Sequence, residues 1–223
     1  MNFAHYIITR FNIGFRHWKR DKVGKEVRTE NWLKQRLTLF NRFCYPSVDG
    51  QKNKNFKWIL LLDEDGPPLL DLPGIRLYVS GVSWRETLKK YIRGDSDTSH
   101  IITTRLDNDD AIHEDTIKDI QECFSGQESE FLNLYNGFLL HEKKVYRTNH
   151  RSNQFLSLIE TAKNLKTVYV DSHGNARKHG DVRQLTKLRY WIRVIHGSNM
   201  VPDNLSASTY IGQSKLKGFN IWP

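Results

Sequence analysis

Three aspartates and an asparagine stand in one run, Asp107-Asn108-Asp109-Asp110, directly behind the apolar stretch that ends at Leu106. Carboxylates crowded this closely repel one another, and a hard divalent cation relieves that repulsion. Oxygen ligands suit magnesium or manganese better than zinc or copper. Such ions usually keep water and accept phosphate oxygens at their remaining positions, so a nucleoside diphosphate group is the natural guest. On an extended strand end, alternation presents Asp107 and Asp109 to one side and turns Asn108 away. The competing reading is a turn, because Asp and Asn favour turns and N-caps and the pattern predicts a helix next.

The elements that must position this run alternate between strands and helices. Residues 4–12 read as a buried strand ending in Asn12, and 13–28 as a mobile loop rich in glycine and charge. Trp32, Leu33, Leu37, Phe40 and Phe43 fall on one face of a helix over 30–43, which Tyr45-Pro46-Ser47 should stop. Strands are predicted at 56–62, 75–80 and 100–106, the first running straight into Asp63. Helices are predicted at 84–93, closed by Gly94, and at 114–124. A strand over 131–135 precedes a hairpin of 137–140 and 145–148 around His141-Glu142-Lys143-Lys144. The remainder reads as a helix over 155–164, a strand over 167–170, a helix over 181–195 with a basic outer face, and an ambiguous tail. This order implies an α/β fold, a mainly parallel sheet flanked by helices with a small strand-rich portion. Ligands bind such sheets outside the carboxyl ends of the strands, where Asn12, Asp63 and Asp107–Asp110 converge.

Composition sets wider bounds. The 223 residues suit a single domain over 1–223, with a nucleotide-binding half, 1–112, and an acceptor-binding half, 113–223. A net charge of +9 favours polyanions, in clusters such as Arg16 to Arg20, Lys52 to Lys57 and Lys187 to Arg193. The longest apolar run, Trp58 to Leu62, is far short of the roughly 20 residues of a membrane span. The start lacks a signal-peptide pattern, and two cysteines make neither a disulfide scaffold nor a zinc knot. The expected location is cytoplasmic, with a peripheral position at the inner membrane surface as the alternative. Oligomeric state is left open.

The run from Ile102 to Ile112 resembles the DxD segment of GT-A-fold glycosyltransferases, Asp-x-Asp-Asp behind an apolar strand. Thr9-Arg10-Phe11-Asn12 resembles their opening strand, and Trp58 to Gly66 their second strand, whose terminal Asp contacts the nucleobase. A closer resemblance is to the rhamnosyltransferase group. It rests on Thr9 to Asn12, Trp32…Arg36-Leu37…Phe40, Pro46-Ser47…Gln51, Arg105 to Asp110, Ser152 to Glu160 and Trp191 to Asn199. The resemblance implies a GT-A-like, Rossmann-like fold and transfer of a sugar from a nucleotide-diphosphate-sugar donor to an acceptor hydroxyl, in the inverting mode, with Mn2+ or Mg2+. It implies Asp109 as a metal ligand, Asp107 on the ribose or the metal, and Asp110 orienting the donor or the metal shell. Asp63 and Asn12 would line the nucleoside pocket. A histidine late in the chain completes the metal shell in several such enzymes, which makes His196 a candidate; the alternative is a helix-end histidine bonding carbonyls.

Arg10 and Arg105 are candidates for neutralising the diphosphate, since guanidinium forks match phosphate oxygens; a plain ion pair at the sheet edge is the alternative. Inversion requires a carboxylate that deprotonates the acceptor on the far face of the sugar. Glu160, Asp171 and Asp181 are candidates, each with a capping or surface role as the alternative. The acceptor is a glycan or glycolipid, with a base in DNA as a second candidate because of the basic charge. Two rival classes are a metal-dependent phosphoryl-transfer enzyme or nuclease, and a basic nucleic-acid-binding protein. The first normally needs two metals and more carboxylates near one site, where this chain concentrates them in one motif, and no nucleic-acid-binding motif is visible for the second.

Overall fold

A computed structural model describes residues 2–13, 29–69, 71–80, 83–196, 205, 208–212 and 216–221. From residue 14 onward, the segment read as a mobile loop lies outside the described residues, as do Gly197-Ser198-Asn199. Two sheets carry the architecture. The large sheet contains β1 (Phe3–Arg10), β2 (Lys57–Asp63), β3 (Ile75–Val79), β4 (His100–Arg105), β6 (Ser129–Leu134), β9 (Leu156–Thr161) and β10 (Asp181–Leu185), in the order β10-β6-β9-β4-β1-β2-β3. Every strand runs one way except β9, which lies antiparallel between β4 and β6. The smaller sheet contains β5 (Ala111–Ile112), β7 (Asn136–His141), β8 (Lys144–Asn149), β11 (Trp191–Ile195) and β12 (Thr209–Tyr210) in the order β12-β8-β7-β11-β5. This is the mainly parallel α/β architecture with a small strand-rich portion that the sequence implied. The large sheet draws strands from both sides of residue 112.

Alternation along β1 explains its burial on two faces. Ile7 joins a cluster with Leu60, Leu62, Ile102 and Ile159 on one side of the sheet, while Tyr6 and Ile8 join Ile59, Leu61, Ile101 and Leu158 on the other. The first face is covered by α1 (Glu30–Leu39), a π-helical turn at Phe40–Cys44 and α2 (Tyr45–Asp49). Thr29 caps α1 by accepting from the Trp32 N–H at 3.1 Å. Leu33, Phe40, Cys44 and Val48 face the sheet, and Phe40 stacks on Trp58 at 5.5 Å. The opposite face carries α3 (Trp84–Asp95), with Trp84, Leu88 and Ile92 turned inward. The short α4 (Thr116–Gln121) adds Ile117 and Ile120 to the first face. Among the described residues no helix is long and apolar enough to cross a membrane.

Several elements differ from their sequence reading. The helix through residue 39 is not stopped at Tyr45-Pro46-Ser47: the π turn re-registers the backbone, and Pro46 sits in the first turn of α2, where a missing N–H costs nothing. α3 runs through Gly94 to Asp95, and 114–124 shortens to Thr116–Gln121. Of residues 155–164, Leu156–Thr161 form β9 and Ala162–Asn164 a 3-10 turn rather than one helix, because the apolar run is inserted between two strands and buried on both faces. Periodicity alone does not separate such a run from a buried helix. Residues 167–170 are a turn, not a strand. The proposed helix over 181–195 is two strands, β10 and β11, which belong to different sheets.

The two sheets meet at Trp191. Its ring stacks on Phe155 at 4.6 Å and its indole N–H donates to the Leu134 carbonyl at 2.7 Å. Gly137 lies beneath the ring, where a Cβ would stand 2.1 Å from Trp191 Cδ2. Gly137→Ala is therefore expected to cost about 1–3 kcal/mol by overpacking, read as a lower urea midpoint at unchanged slope. An unchanged midpoint would contradict this close packing at the junction.

Candidate functional site

The site lies at the C-terminal edge of β1, β2 and β4, and backbone-to-side-chain bonds stitch that edge together. Asn12 Oδ1 accepts from the Asp63 N–H at 2.9 Å, tying the end of β1 to the end of β2. Asn108 Nδ2 donates to the Phe11 carbonyl at 2.9 Å, tying the acidic run to the same place. Asp63 Oδ1 accepts from the Asp65 N–H at 3.0 Å, which bends the chain toward Gly66. A Cβ on Gly66 would stand 2.9 Å from Asn12 Nδ2, so only glycine leaves the Asn12 amide room. Asn12 and Asp63 are both buried, and Asn12 Nδ2 has no hydrogen-bond partner among the described residues. A buried donor left open beside a carboxylate suits a ligand bearing a carbonyl next to an N–H.

The carboxylates of the acidic run diverge to separate partners. Asp107 receives Arg105 through Nη2 at 3.0 Å and lies 4.0 Å from Arg10 Nη2. Both guanidiniums rest against the Tyr169 ring, 5.1 Å for Arg10 and 5.5 Å for Arg105. Asp109 instead meets Arg36 of α1 and pairs with His196 Nε2 at 2.9 Å. Arg36 also reaches Asn108 Oδ1 at 3.3 Å. Asp110 accepts from the Val194 N–H at 3.0 Å and from Gln154 at 3.4 Å. The expectation that Asp107 and Asp109 face one way while Asn108 points out is replaced by this arrangement. Asn108 turns inward as a tie, because the short β5 follows directly instead of a helix.

These contacts set the protonation states. Burial works against ionisation of Asp109, but the Arg36 charge and the His196 bond outweigh it and hold the carboxyl below its ordinary range. Asp107 is likewise lowered, burial being outweighed by the charges of Arg105 and Arg10. Asp110 moves the other way: burial, then the charges of Asp109 and Asp107, push it well above the ordinary range. The run thus holds two ionised carboxylates and one that favours its proton.

Of the candidate metal ligands, Asp109 and His196 are brought together. His196 arrives at the end of β11, which pairs antiparallel with β5, and not at the end of a helix. An oxygen and a nitrogen donor in contact fit manganese. The fit requires Arg36 to move aside, and Asp107 stands with the arginines instead of completing a tight triad. Among the described residues, the group of three acidic and histidine ligand atoms that all lie within 4.8 Å of one another is that of His113, Glu114 and Asp115. Sequence reasoning did not single these out. Lys52 sits among them, 2.8 Å from Glu114 and 3.0 Å from Asp115, and supplies the positive charge.

The base candidates separate by position. Glu160 pairs in register with Ile101 at the start of β4, roughly 13 Å down the strand from Arg105 at about 3.3 Å per residue. It caps a turn there and is remote from the acidic run. Asp181 opens the outermost strand, exposed, at that same far edge. Asp171 lies two residues beyond Tyr169. It accepts from the Ser172 N–H at 2.6 Å and from Asn175 at 3.2 Å, and pairs with His179 at 3.0 Å. These bonds, His179 foremost, hold its carboxyl low. Arg36 and Tyr169 were missed as site residues. Helical spacing gave Arg36 only a place beside core positions, and Tyr169 carried no signal at all.

Known proteins share parts of this sequence and fold. The family described as "Putative rhamnosyl transferase" matches residues 5–207. No curated protein matches the chain. Among solved structures, Staphylococcus aureus TarS 1-349 is similar at 11% identity over 86% of this chain, with a TM-score of 0.45. The same protein in complex with UDP-GlcNAc is similar at 13% identity over 90% of this chain, with a TM-score of 0.46. This chain spans 60% of the length of each.

Arg36 carries a test of the site's electrostatics. Arg36→Met leaves the buried Asp109 without its guanidinium partner and is expected to cost about 3 kcal/mol in urea unfolding. Adding Asp109→Asn should return part of that loss, since the uncompensated charge is gone. Strict additivity of the two variants would contradict the pairing.

Proposed function

The chain belongs to the rhamnosyl transferase family, and on that premise we propose that it moves a sugar from a nucleoside-diphosphate sugar to an acceptor hydroxyl, with inversion at the anomeric carbon. The observation that carries this reading is the grouping at one sheet edge. Arg10, Arg105 and Asp107 lie at the ends of the same strands that carry the Asn12–Asp63 tie and lead into the Asp109–His196 pair. The nucleobase enters beside Asn12 and Asp63, whose open amide donor and carboxylate read a carbonyl and an adjacent N–H. The diphosphate meets Arg10 and Arg105, and the ribose lies near Asp107. Asp109 and His196 would hold Mn2+ or Mg2+, which when bound supplies further positive charge against the departing diphosphate.

In the transfer step the anomeric C–O bond breaks and its electron pair leaves on the diphosphate oxygen, where the two guanidiniums stabilise the growing charge. A bond forms from the acceptor oxygen to the opposite face of the anomeric carbon. The acceptor proton passes to the Asp171–His179 pair on the segment beyond Tyr169, where the carboxylate stays ionised and orients the imidazole that takes up the proton. The acceptor is a glycan hydroxyl.

A panel of nucleotide sugars, with manganese, magnesium or a chelator, tests this by release of nucleoside diphosphate. Asp109→Ala is expected to abolish release while circular dichroism stays native; full turnover in that variant overturns the metal site. Asp171→Asn should lower kcat by about 100-fold or more, with nucleoside diphosphate affinity within about twofold of wild type. Equal losses in both quantities would remove the Asp171–His179 pair as the base.

A further inference from the structure

The antiparallel strand β9 delivers the chain to the wrong edge of the sheet, and the segment beyond it must climb back. After a 3-10 turn at Ala162–Asn164, residues 165–170 pack irregularly on the face formed by Tyr6, Ile8, Ile101 and Leu158, with Leu165, Thr167, Val168 and Tyr169 buried and Lys166 exposed. Such backbone requires a partner for each amide. The Lys166 and Thr167 N–H groups both donate to the Glu160 carboxylate at 2.8 Å, one to each oxygen. The Val168 N–H donates to Thr103 Oγ1 at 2.8 Å, and the Val170 N–H to the Thr167 carbonyl at 3.0 Å. Thr167 is fully buried and takes φ +67, a conformation that a β-branched residue adopts only when its surroundings impose it. Tyr169 comes next but one, its hydroxyl donating to the Ile8 carbonyl at 3.2 Å and its ring lying under Arg10 and Arg105.

We infer that Glu160 is a positioning residue: its carboxylate locks Thr167 in the left-handed conformation and so fixes the Tyr169 ring as the platform on which Arg10 and Arg105 meet the donor's diphosphate. The inference rests on the proposed function for the identity of that anion, and on geometry alone for the anchoring. The placement is costly for the acid itself. Burial raises Glu160 to about 7 even with both amides donating to it and with Lys166 and Arg93 as neighbouring positive charges. A group with no task there would be replaced without loss by a neutral one.

The test uses Glu160→Gln, which keeps one acceptor and sets an NH2 against the other amide. Hydrogen exchange of amides 166–170 reads the anchoring. Calorimetric titration with UDP, dTDP and GDP reads the arginine platform. Glu160→Gln should speed exchange across 166–170 and weaken the best-binding nucleoside diphosphate about tenfold. Adding Thr167→Gly, which adopts positive φ freely, should return nucleotide affinity to within about threefold of wild type, while the amide that lost its Glu160 acceptor goes on exchanging fast. A purely structural role for Glu160 predicts no such rescue. Wild-type exchange and affinity in Glu160→Gln, or no rescue of affinity by Thr167→Gly, overturns the inference. Should Glu160→Gln fail to fold, Thr103→Val removes the Val168 anchor instead. It is expected to show the same two losses, and wild-type values in it also overturn the inference. If the wild-type chain binds none of the three nucleotides, the proposed function fails and the exchange readout alone decides the anchoring.

Discussion

Three carboxylates within four residues, at the buried end of a central strand, form the constraint from which this molecule's active edge follows. Their mutual repulsion in a poorly solvated place must be met by positive charge or by a proton. The fold brings in both. Arg105 comes from the same strand, Arg10 from its parallel neighbour, Arg36 from the helical layer, and His196 from the second sheet. Asp110, left with amide donors, is pushed toward its protonated form by burial and by the charges of Asp109 and Asp107. Each partner belongs to a different element, so the site forms only when both sheets and the α1 layer are in place.

That dependence explains how the packing is arranged around the edge. Phe40 stacks on Trp58 and edges Phe11 at 5.2 Å, which fixes the α1 helix and, one turn earlier, Arg36. Trp191 stacks on Phe155 and docks β11 so that Val194 and His196 reach the acidic run. Aromatic contacts thus set the position of charged groups that their own electrostatics would scatter. The irregular climb from Glu160 to Tyr169 does the same for the opposite side of the site, with backbone amides instead of rings.

The sequence could be read where local chemistry and local structure agree. The apolar strands over 100–106 and 56–62 are followed at once by polar ends, and that pattern alone placed Asn12, Asp63 and the acidic run at one edge. It could not be read where a segment's fate depends on its neighbours. The run from Phe155 to Glu160 has the apolar content of either a helix or a central strand, and only the gap between β4 and β6 decides for the strand. Glu160 and Asp181 then move to the far edge, away from the chemistry their carboxylates suggested. Tyr169 had no motif, and Arg36 stood in a family-like run without a role, since their roles come from what crosses them in space.

Residue order by itself determined the alternation of strands and helices over the first half of the chain, the acidic run at a strand end, and the resemblance that the family match bears out. Those features are written in short-range patterns, the period of burial and the spacing of like charges. Tertiary structure alone decided which charge neutralises which carboxylate, that β9 runs against its neighbours, and that Glu160 and Asp181 lie at the far edge of the sheet. Those outcomes depend on contacts between segments far apart along the chain, and no local pattern encodes the distance between them.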